Sequence, residues 1–295
     1  DPLYRPAFTN AIMTFNAFGK PDKAEELLQR IEAFDASNPD LYTARATNFL
    51  FSGRNGEGLQ QMETARELDE MSGLDGMILS IGLANTMQFE RLVEEGSPSW
   101  KPYALYETGR QDEAFALAHA QASSGFPGNL FYLLNRSDRS KEVTDYLEER
   151  WPSLTTFAAE NDADEYGYAI MNDVALAYSR VGNQERFNEA MQFIEQHAAR
   201  LDEQSIDNVF YSADRAIVYA LRGDADLAIE YLQQAASSGW TTAGMPSVVV
   251  PAFAVLADDP RYQEIELIIL SNMNRDREIV GLPPLNANYE VEPDL

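Results

Sequence analysis

Two histidines are the residues of this chain that are typical of a metal site or of acid–base chemistry. His119 and His197 lie far apart in the chain, and the chain contains no cysteine. A zinc site would therefore have to recruit carboxylates around at most two imidazoles. His197 lies between Ile194 and Ala198 near the expected end of a helix, where partial burial or a contact with the helix dipole explains it. We expect no metal and no cofactor.

An acidic segment from Asp162 to Asp173 partly matches the spacing of a calcium-binding loop. Gly167 is correctly placed, but Tyr166 occupies a ligand position and Asp173 replaces the bidentate glutamate. The apolar spacing from Tyr168 also predicts a helix that begins too early for such a loop. We interpret the segment as the acidic start of a helix.

The remaining candidates for catalysis are a glycine-rich segment and several acidic pairs. Residues 53–58 could cradle a phosphate only after a strand, and they fall at the turn between two expected helices. Acidic pairs could supply two carboxylates for glycoside hydrolysis, but the chain has 48 acidic residues and such pairs arise by chance. These pairs are Glu25-Glu26, Glu94-Glu95, Glu148-Glu149 and Asp258-Asp259. Motifs of serine hydrolases, nucleotide-binding loops and zinc proteases are absent from the sequence. The sequence predicts a protein that is not an enzyme, with chemistry at an acidic pair as the alternative.

Composition excludes two classes of partner. The chain has 22 basic and 48 acidic side chains, which gives a net charge of −26. A surface this acidic repels nucleic acid phosphates and anionic membranes, so partners are expected to be basic or neutral. The longest apolar stretch, residues 248–257, contains Pro251 and is shorter than the roughly 20 residues that span a bilayer. We therefore expect no membrane insertion of this segment.

Apolar residues follow the helical period along nearly the whole chain. Ala24, Leu27, Leu28 and Ile31 fall on one stripe, which is typical of an amphipathic helix. The one run of β-branched residues, 248–250, ends at once in a proline. The sequence therefore predicts an all-α protein.

An internal repeat gives the arrangement of these helices. Residues 109–126 align without a gap to residues 223–240 and share a turn glycine, an alanine five positions later and a closing Ser-Ser-Gly. The turn glycine recurs as Gly19, Gly53, Gly109, Gly182 and Gly223. Two further pairs of helices are expected within residues 76–95 and 130–149. Together these segments predict about seven helical pairs.

This pattern resembles the tetratricopeptide repeat family. Gly19 and Gly53 are separated by the period of that repeat, about 34 residues. The most similar copy has small residues where the two helices of a repeat approach each other, namely Ala216, Ala228 and Ala235 around Gly223. A second copy has Gly58 at a position where the family usually has alanine, and a third has the bulky Phe187 there, which puts regular packing of that pair in doubt.

The resemblance implies one domain over residues 1–285, an α-solenoid in which tetratricopeptide-like hairpins form a right-handed superhelix. Its closing module would be residues 240–285, with a capping helix that starts at Asp258-Asp259-Pro260 and ends before Gly281 and Pro283. Residues 286–295 are expected to be a flexible acidic tail.

The closing module resembles the tetratricopeptide region of bacterial signalling proteins. In that family a winged-helix DNA-binding domain or an adenylyl cyclase domain precedes the repeats, often across a membrane segment. The resemblance implies a non-catalytic interaction or sensory module, with an effector domain or membrane anchor before Asp1 and a periplasmic rather than a cytoplasmic location. A stand-alone scaffold protein, periplasmic or cytoplasmic, is the alternative.

The family register also predicts a concave face, built from the first helix of each pair, that binds a protein or peptide. Small and polar residues dominate this face, which suits hydrogen-bonded capture of an extended segment. Burial against a neighbouring helix would explain Leu176 and Ile217 equally well. The predicted face contains Thr43, Thr47, Leu50, Asn172, Leu176, Ser179, Ala213, Ile217 and Ala220.

Overall fold

The computed structural model describes residues 5–69, 76–161, 168–206, 208–241 and 252–291. These residues form α-helices and no named strand, and an isolated antiparallel bridge joins Leu285 to Val291. The helices are α1 (Arg5–Ala17), α2 (Pro21–Glu32), α3 (Pro39–Phe51), α4 (Asn55–Leu68), α5 (Met77–Asn85), α6 (Phe89–Glu95), α7 (Lys101–Glu107), α8 (Gln111–Ser123), α9 (Gly128–Arg136), α10 (Ser140–Arg150), α11 (Leu154–Glu160), α12 (Tyr168–Arg180), α13 (Gln184–Glu203), α14 (Val209–Arg222), α15 (Ala225–Ser237) and α16 (Pro260–Ile279). The predicted all-α class is confirmed.

Helices of the described chain pack in consecutive pairs, and each pair turns at one residue with positive φ. The five predicted turn glycines have φ values between 62° and 79°, a range that glycine adopts without steric cost. Met87 and Asp138 occupy the same place between α5 and α6 and between α9 and α10, with φ values of 54° and 57°. The pairs expected within residues 76–95 and 130–149 are therefore present, although their turns lack glycine.

The first helices of most successive pairs pack against each other. α1 packs against α3, α3 against α5, α7 against α9, α9 against α12, and α12 against α14. α11 is an additional helix between the fifth and sixth pairs, and it contacts α13. Neighbour-to-neighbour packing of this kind gives the first helices one shared face.

Small residues allow the two helices of a pair to approach closely. Ala114 and Ala228, each five positions after a turn glycine, are fully buried. At Gly58 a Cβ atom would lie 3.2 Å from the backbone oxygen of Ala46 and equally close to the Leu50 side chain. Glycine at this position therefore matches a tighter approach of α3 and α4. Phe187 is only partly buried, and α12 and α13 still pack as a pair.

Glycines also allow the second pair to contact the C-terminal part of the chain. A Cβ atom at Gly53 would lie 2.5 Å from the backbone oxygen of Ser238, and one at Gly239 would lie 2.7 Å from the backbone oxygen of Gly53. At Gly56 a Cβ atom would overlap the backbone of Asp276 on α16. The glycine-rich segment 53–58 lies at a helical turn, as predicted, and it is also a site of close backbone contact, which the sequence did not indicate.

We call the contact between the second pair and the C-terminal part of the chain the closing contact. Hydrogen bonds of buried side chains reinforce it. Asn85 Nδ2 donates to Asn55 Oδ1 at 2.7 Å, and Asn55 Nδ2 donates to Asp276 Oδ2 at 2.9 Å. Arg275 reaches the backbone oxygen of Gly53 at 2.8 Å. Asp276 is fully buried, and burial raises the pKa of its carboxyl above the ordinary value.

Further contacts join the second pair to the C-terminal part of the chain. Gln60 Nε2 on α4 donates to the backbone oxygen of Ile279 at 2.7 Å. The rings of Phe51 on α3 and Phe210 on α14 meet edge to face at 5.2 Å. Because α3 and α4 contact α14, α15 and α16 as well as their sequence neighbours, the described pairs form a closed set of contacts.

The C-terminal helix begins where the sequence predicts. Pro260 is its first residue, and the Asp259 carboxylate caps it by accepting a hydrogen bond from the Arg261 backbone N–H at 2.9 Å. Residues 285–291 differ from the expected flexible tail, because Asn286 and Glu290 close a turn through a 2.8 Å backbone hydrogen bond. Tyr289 in this turn packs against the C-terminal core.

None of the described helices is both long enough and apolar enough to cross a membrane.

Gly56→Ala should destabilise the protein by about 1 to 3 kcal/mol, because the new methyl group has to displace the backbone of α16. Gly128→Ala is the matched control at the start of α9, since a Cβ atom there meets only Ile170 Cδ1 at 3.8 Å. Urea unfolding of both variants measures the difference. Equal midpoints for the two variants would show that Gly56 is not needed for the closing contact.

Candidate functional site

The structure places most of the predicted concave-face residues between helices. Seven of the nine are buried, so their side chains offer little surface to a partner. Thr43 is half-buried and Ser179 is exposed. Leu176 and Ile217 are 7% and 4% exposed, in line with the alternative of packing against neighbouring helices. The buried residues are Thr47, Leu50, Asn172, Leu176, Ala213, Ile217 and Ala220.

Sequence reasoning missed the equivalent positions on α7 and α9. The predicted residues lie ten, six and three positions before a turn glycine, and the same spacing before Gly109 gives Tyr103 and Tyr106. Before Asp138 it gives Tyr132 and Asn135. The glycine pattern could have found the first two residues, whereas a turn at aspartate hid the other two.

Two of these residues, Tyr103 on α7 and Tyr132 on α9, belong to a group of polar residues that we call the central cluster. Its other members are Glu107 on α7, Arg136 on α9 and Asp173 on α12. The rings of Tyr103 and Tyr132 meet edge to face, with centroids 6.0 Å apart. Arg136 Nη2 lies 3.4 Å from Glu107 Oε1. Three consecutive first helices thus bring two phenols, two carboxylates and a guanidinium together.

Burial sets the electrostatics of this cluster. The Tyr103 and Tyr132 side chains are 1% and 3% exposed, and burial raises the pKa of both hydroxyls well above the ordinary value. Burial also raises the pKa of Glu107, an effect that Arg136 opposes. Both tyrosine hydroxyls and Glu107 Oε1 have no hydrogen-bond partner among the residues that the structure describes. The cluster therefore holds polar atoms in a dry environment without satisfying them.

Asp173 joins the central cluster to the Asn135 side chain. Asn135 Nδ2 donates to the Asp173 backbone oxygen at 2.9 Å and to Oδ1 at 3.2 Å. Ser140 Oγ donates to Asn135 Oδ1 at 2.8 Å. Burial raises the pKa of Asp173 from 3.8 to about 7, while the hydrogen bond from Asn135 and the positive charge of Arg180 act in the opposite direction.

The position of Asp173 bears on the calcium loop considered from the sequence. Residues 162–167 lie outside the described residues. Asp173 lies within α12, where it is buried and bonded to Asn135. Its carboxylate is thus engaged between helices, which is not the position of a loop ligand. Within the described ranges, no group of three histidine or acidic side chains is arranged to hold a metal ion.

A small cavity lies beside His197 between α12, α13 and α14. Its volume is about 10 Å³, and its lining includes Asn172, Tyr211 and Arg215. That volume is about the space of one water molecule. His197 is 7% exposed and lies 3.5 Å from Arg200 Nη2. The predicted burial of this histidine is confirmed, and the cavity is too small for a substrate.

The acidic pairs take part in ion pairs and caps. Glu95 accepts from Arg91 Nε at 2.8 Å and pairs with Arg66, and the hydrogen bond from Arg91 contributes most to lowering its pKa to about 2. Asp259 caps α16. The central cluster is the stronger candidate for a functional site, because three of its buried oxygen atoms make no hydrogen bond to the described residues.

No protein-family model matches this chain, and no curated protein matches it.

Stability should fall as the pH rises from about 4 to about 7, because folded Asp173 holds a proton that the unfolded chain has already released. When Asp173 is ionised, its carboxylate interacts with Tyr132 and with the Arg180 guanidinium. The positive charge of Arg180 compensates only part of the cost of burying the carboxylate. Asp173→Asn should flatten this dependence and raise the stability at pH 8 by at least about 1 kcal/mol.

Asp112→Asn on the exposed surface of α8 is the control for the change in net charge. Urea unfolding across the pH range measures both variants. The same pH profile for both would contradict a buried Asp173 that carries a proton in the folded state.

Proposed function

We propose that this protein is a non-catalytic module that binds an extended segment of another protein across its first helices. In this proposal the described pairs are tetratricopeptide-like hairpins arranged as a right-handed superhelix. Seven helical pairs with the same left-handed turn residue support it, as do the contacts between most neighbouring first helices. A shared face made of first helices is the usual binding surface of such arrays.

The face is accessible at its middle. The predicted residues on α3 and α14 are mostly buried, in the part of the chain where Phe51 meets Phe210. On α12 Asn172 and Leu176 are buried as well, but Ser179 is exposed, and Tyr106 on α7 and Arg136 on α9 are half-buried. We therefore place the partner on α7, α9 and α12. This accessible polar middle is the observation that carries the proposal.

The length of the partner segment follows from helix spacing. Three neighbouring helices spaced by about 10 Å span about 20 to 30 Å, which an extended peptide of about nine residues covers. The net charge of −26 favours a basic or neutral segment, since an acidic one would be repelled.

The module is proposed to serve in a bacterial signalling or transcription-regulatory protein. The closing module supports this context, because residues 240–285 carry the pattern on which the resemblance rests. Its capping helix starts at Pro260 with Asp259 as the cap. The sensory role then consists of binding a partner protein on the first helices.

The test is a selection of random peptides of about nine residues displayed on phage, followed by binding measurements with the enriched peptides. Ser179→Trp places a large ring on the proposed face and should weaken binding at least about tenfold. Ser237→Trp is the matched control on α15, a second helix, where the side chain is also exposed. Its affinity should equal that of the unmodified protein.

Two results would count against the proposal. The first is the absence of any enriched peptide, and the second is an equal loss of affinity in both tryptophan variants.

A further inference from the structure

Three buried oxygen atoms of the central cluster make no hydrogen bond to any group that the structure describes. They are the hydroxyls of Tyr103 and Tyr132 and the Oε1 atom of Glu107. Glu107 lies one helical turn after Tyr103 on α7, and the Tyr103 ring packs against the Tyr132 ring, so the three side chains are neighbours. Leaving buried polar atoms unpaired destabilises a fold, so their grouping in one cluster calls for a function.

We propose that these three oxygens bind an ammonium group, carried by a lysine side chain of the partner or by a small primary amine. An ammonium group has three N–H donors and no acceptor, which matches three oxygens that each can accept. The lysine source rests on the proposed function, whereas the site itself does not depend on it.

Charge favours a cation over an anion at this site. An anion would meet the carboxylate of Glu107 and, above about pH 7, also that of Asp173; both groups act on Tyr132. Arg180 is bonded to the backbone oxygen of Asn135 at 2.6 Å, so it is already used on the far side of the cluster. The net charge of the chain also draws cations from solution.

Arg136 and Glu107 form the most exposed part of the central cluster. Their side chains are 29% and 16% exposed, whereas Tyr103 and Tyr132 are buried, so a ligand would approach the hydroxyls past these two side chains. Arg136 Nη2 lies 3.4 Å from Glu107 Oε1 but makes no hydrogen bond to it. The guanidinium also lies over the Tyr106 ring at 5.8 Å.

Binding therefore exchanges one cation for another at Glu107. The flexible Arg136 side chain turns into solvent, and the ammonium takes its place beside the carboxylate with the two hydroxyls as additional acceptors. Arg136 is a competitor of the ligand in this scheme. Its removal should strengthen binding of the ammonium, which is the opposite of what a ligand with a carboxylate would show.

The probe is n-butylammonium, titrated into the full chain with ¹³C-labelled tyrosine rings, and n-butanol is the uncharged control. We expect the ring resonances of Tyr103 and Tyr132 to shift in a saturable way with the amine and not with the alcohol. Equal shifts with both compounds, or no shift of either ring with the amine, would overturn the proposal.

Two charge variants give the sharpest test. Glu107→Gln should weaken butylammonium binding at least about tenfold, and Arg136→Gln should tighten it by about threefold or more. Glu113→Gln on the exposed surface of α8 makes the same charge change as Glu107→Gln outside the site and should leave the affinity unchanged. Loss of binding in Arg136→Gln would overturn the proposal in favour of an anionic ligand.

Tyr132→Phe separates binding from structure. The variant removes a hydroxyl that has no partner in the described protein, so its melting temperature should stay the same or rise while amine binding weakens. A clear drop in the melting temperature with unchanged amine binding would show that the hydroxyl has a structural role and does not bind the ammonium group, and would overturn the proposal.

A pair of Gly/Ser peptides, one with a central lysine and one with norleucine, distinguishes the two sources of the ammonium group. Binding of the lysine peptide alone supports the lysine source. Binding of butylammonium without either peptide supports the site with a small amine as ligand and counts against the proposed function. A third outcome is that both peptides bind, that Ser179→Trp weakens their binding, and that butylammonium gives no response. This outcome would support the proposed function and overturn the ammonium site.

Discussion

The closing contact between α4 and α16 is the constraint on which the arrangement of the other helices depends. It needs three glycines, because the backbones of Gly53 and Gly239 touch and Gly56 lies against Asp276. It also needs the buried chain of amides and carboxylate that runs from Asn85 through Asn55 to Asp276. A backbone contact this tight tolerates little displacement, so each intervening pair has to turn by an amount that lets the ends meet.

The closing contact also brings two first helices, α3 and α14, together. α3 and α14 lie at the two ends that meet, and their predicted face residues are mostly buried. α7, α9 and α12 lie between those ends, and there the face carries charged and phenolic side chains. Unpaired polar atoms in this region weaken the fold, and such a loss of stability is typical of functional sites.

Local features of this fold could be predicted from the sequence. The turn glycines, the alanines five positions later and the Asp259-Pro260 helix start act within one pair or one helix turn, and sequence spacing shows them directly. Met87 and Asp138 could not be identified as turn residues, because non-glycine residues rarely adopt positive φ. The register of α5 and α9 was hidden as a result.

Contacts between distant residues could not be predicted in the same way. Glycine is needed at position 56 because the backbone of α16 lies against it. α16 is far along the chain, and no local sequence pattern connects the two. The central cluster depends on how α7, α9 and α12 are placed side by side, so the burial of Glu107 and Asp173 became visible only in three dimensions. Composition shows an excess of acidic side chains, but it does not show which of their carboxylates are buried away from water.

Closure has a consequence for the order in which the chain folds. An open repeat array can fray from either end and fold from any repeat, since each repeat depends only on its neighbours. Here the packing of the second pair includes α16. The contact joins residues that are very distant in sequence, such as Asn55 and Asp276. Such a contact raises the contact order and slows folding. The pair α1 and α2 packs its own core cluster against α3, and one hydrogen bond of 3.5 Å, from Asn208 Nδ2 to the backbone oxygen of Ala17, links it to the start of α14. Because this pair takes a small part in closure, local opening of the chain should begin there.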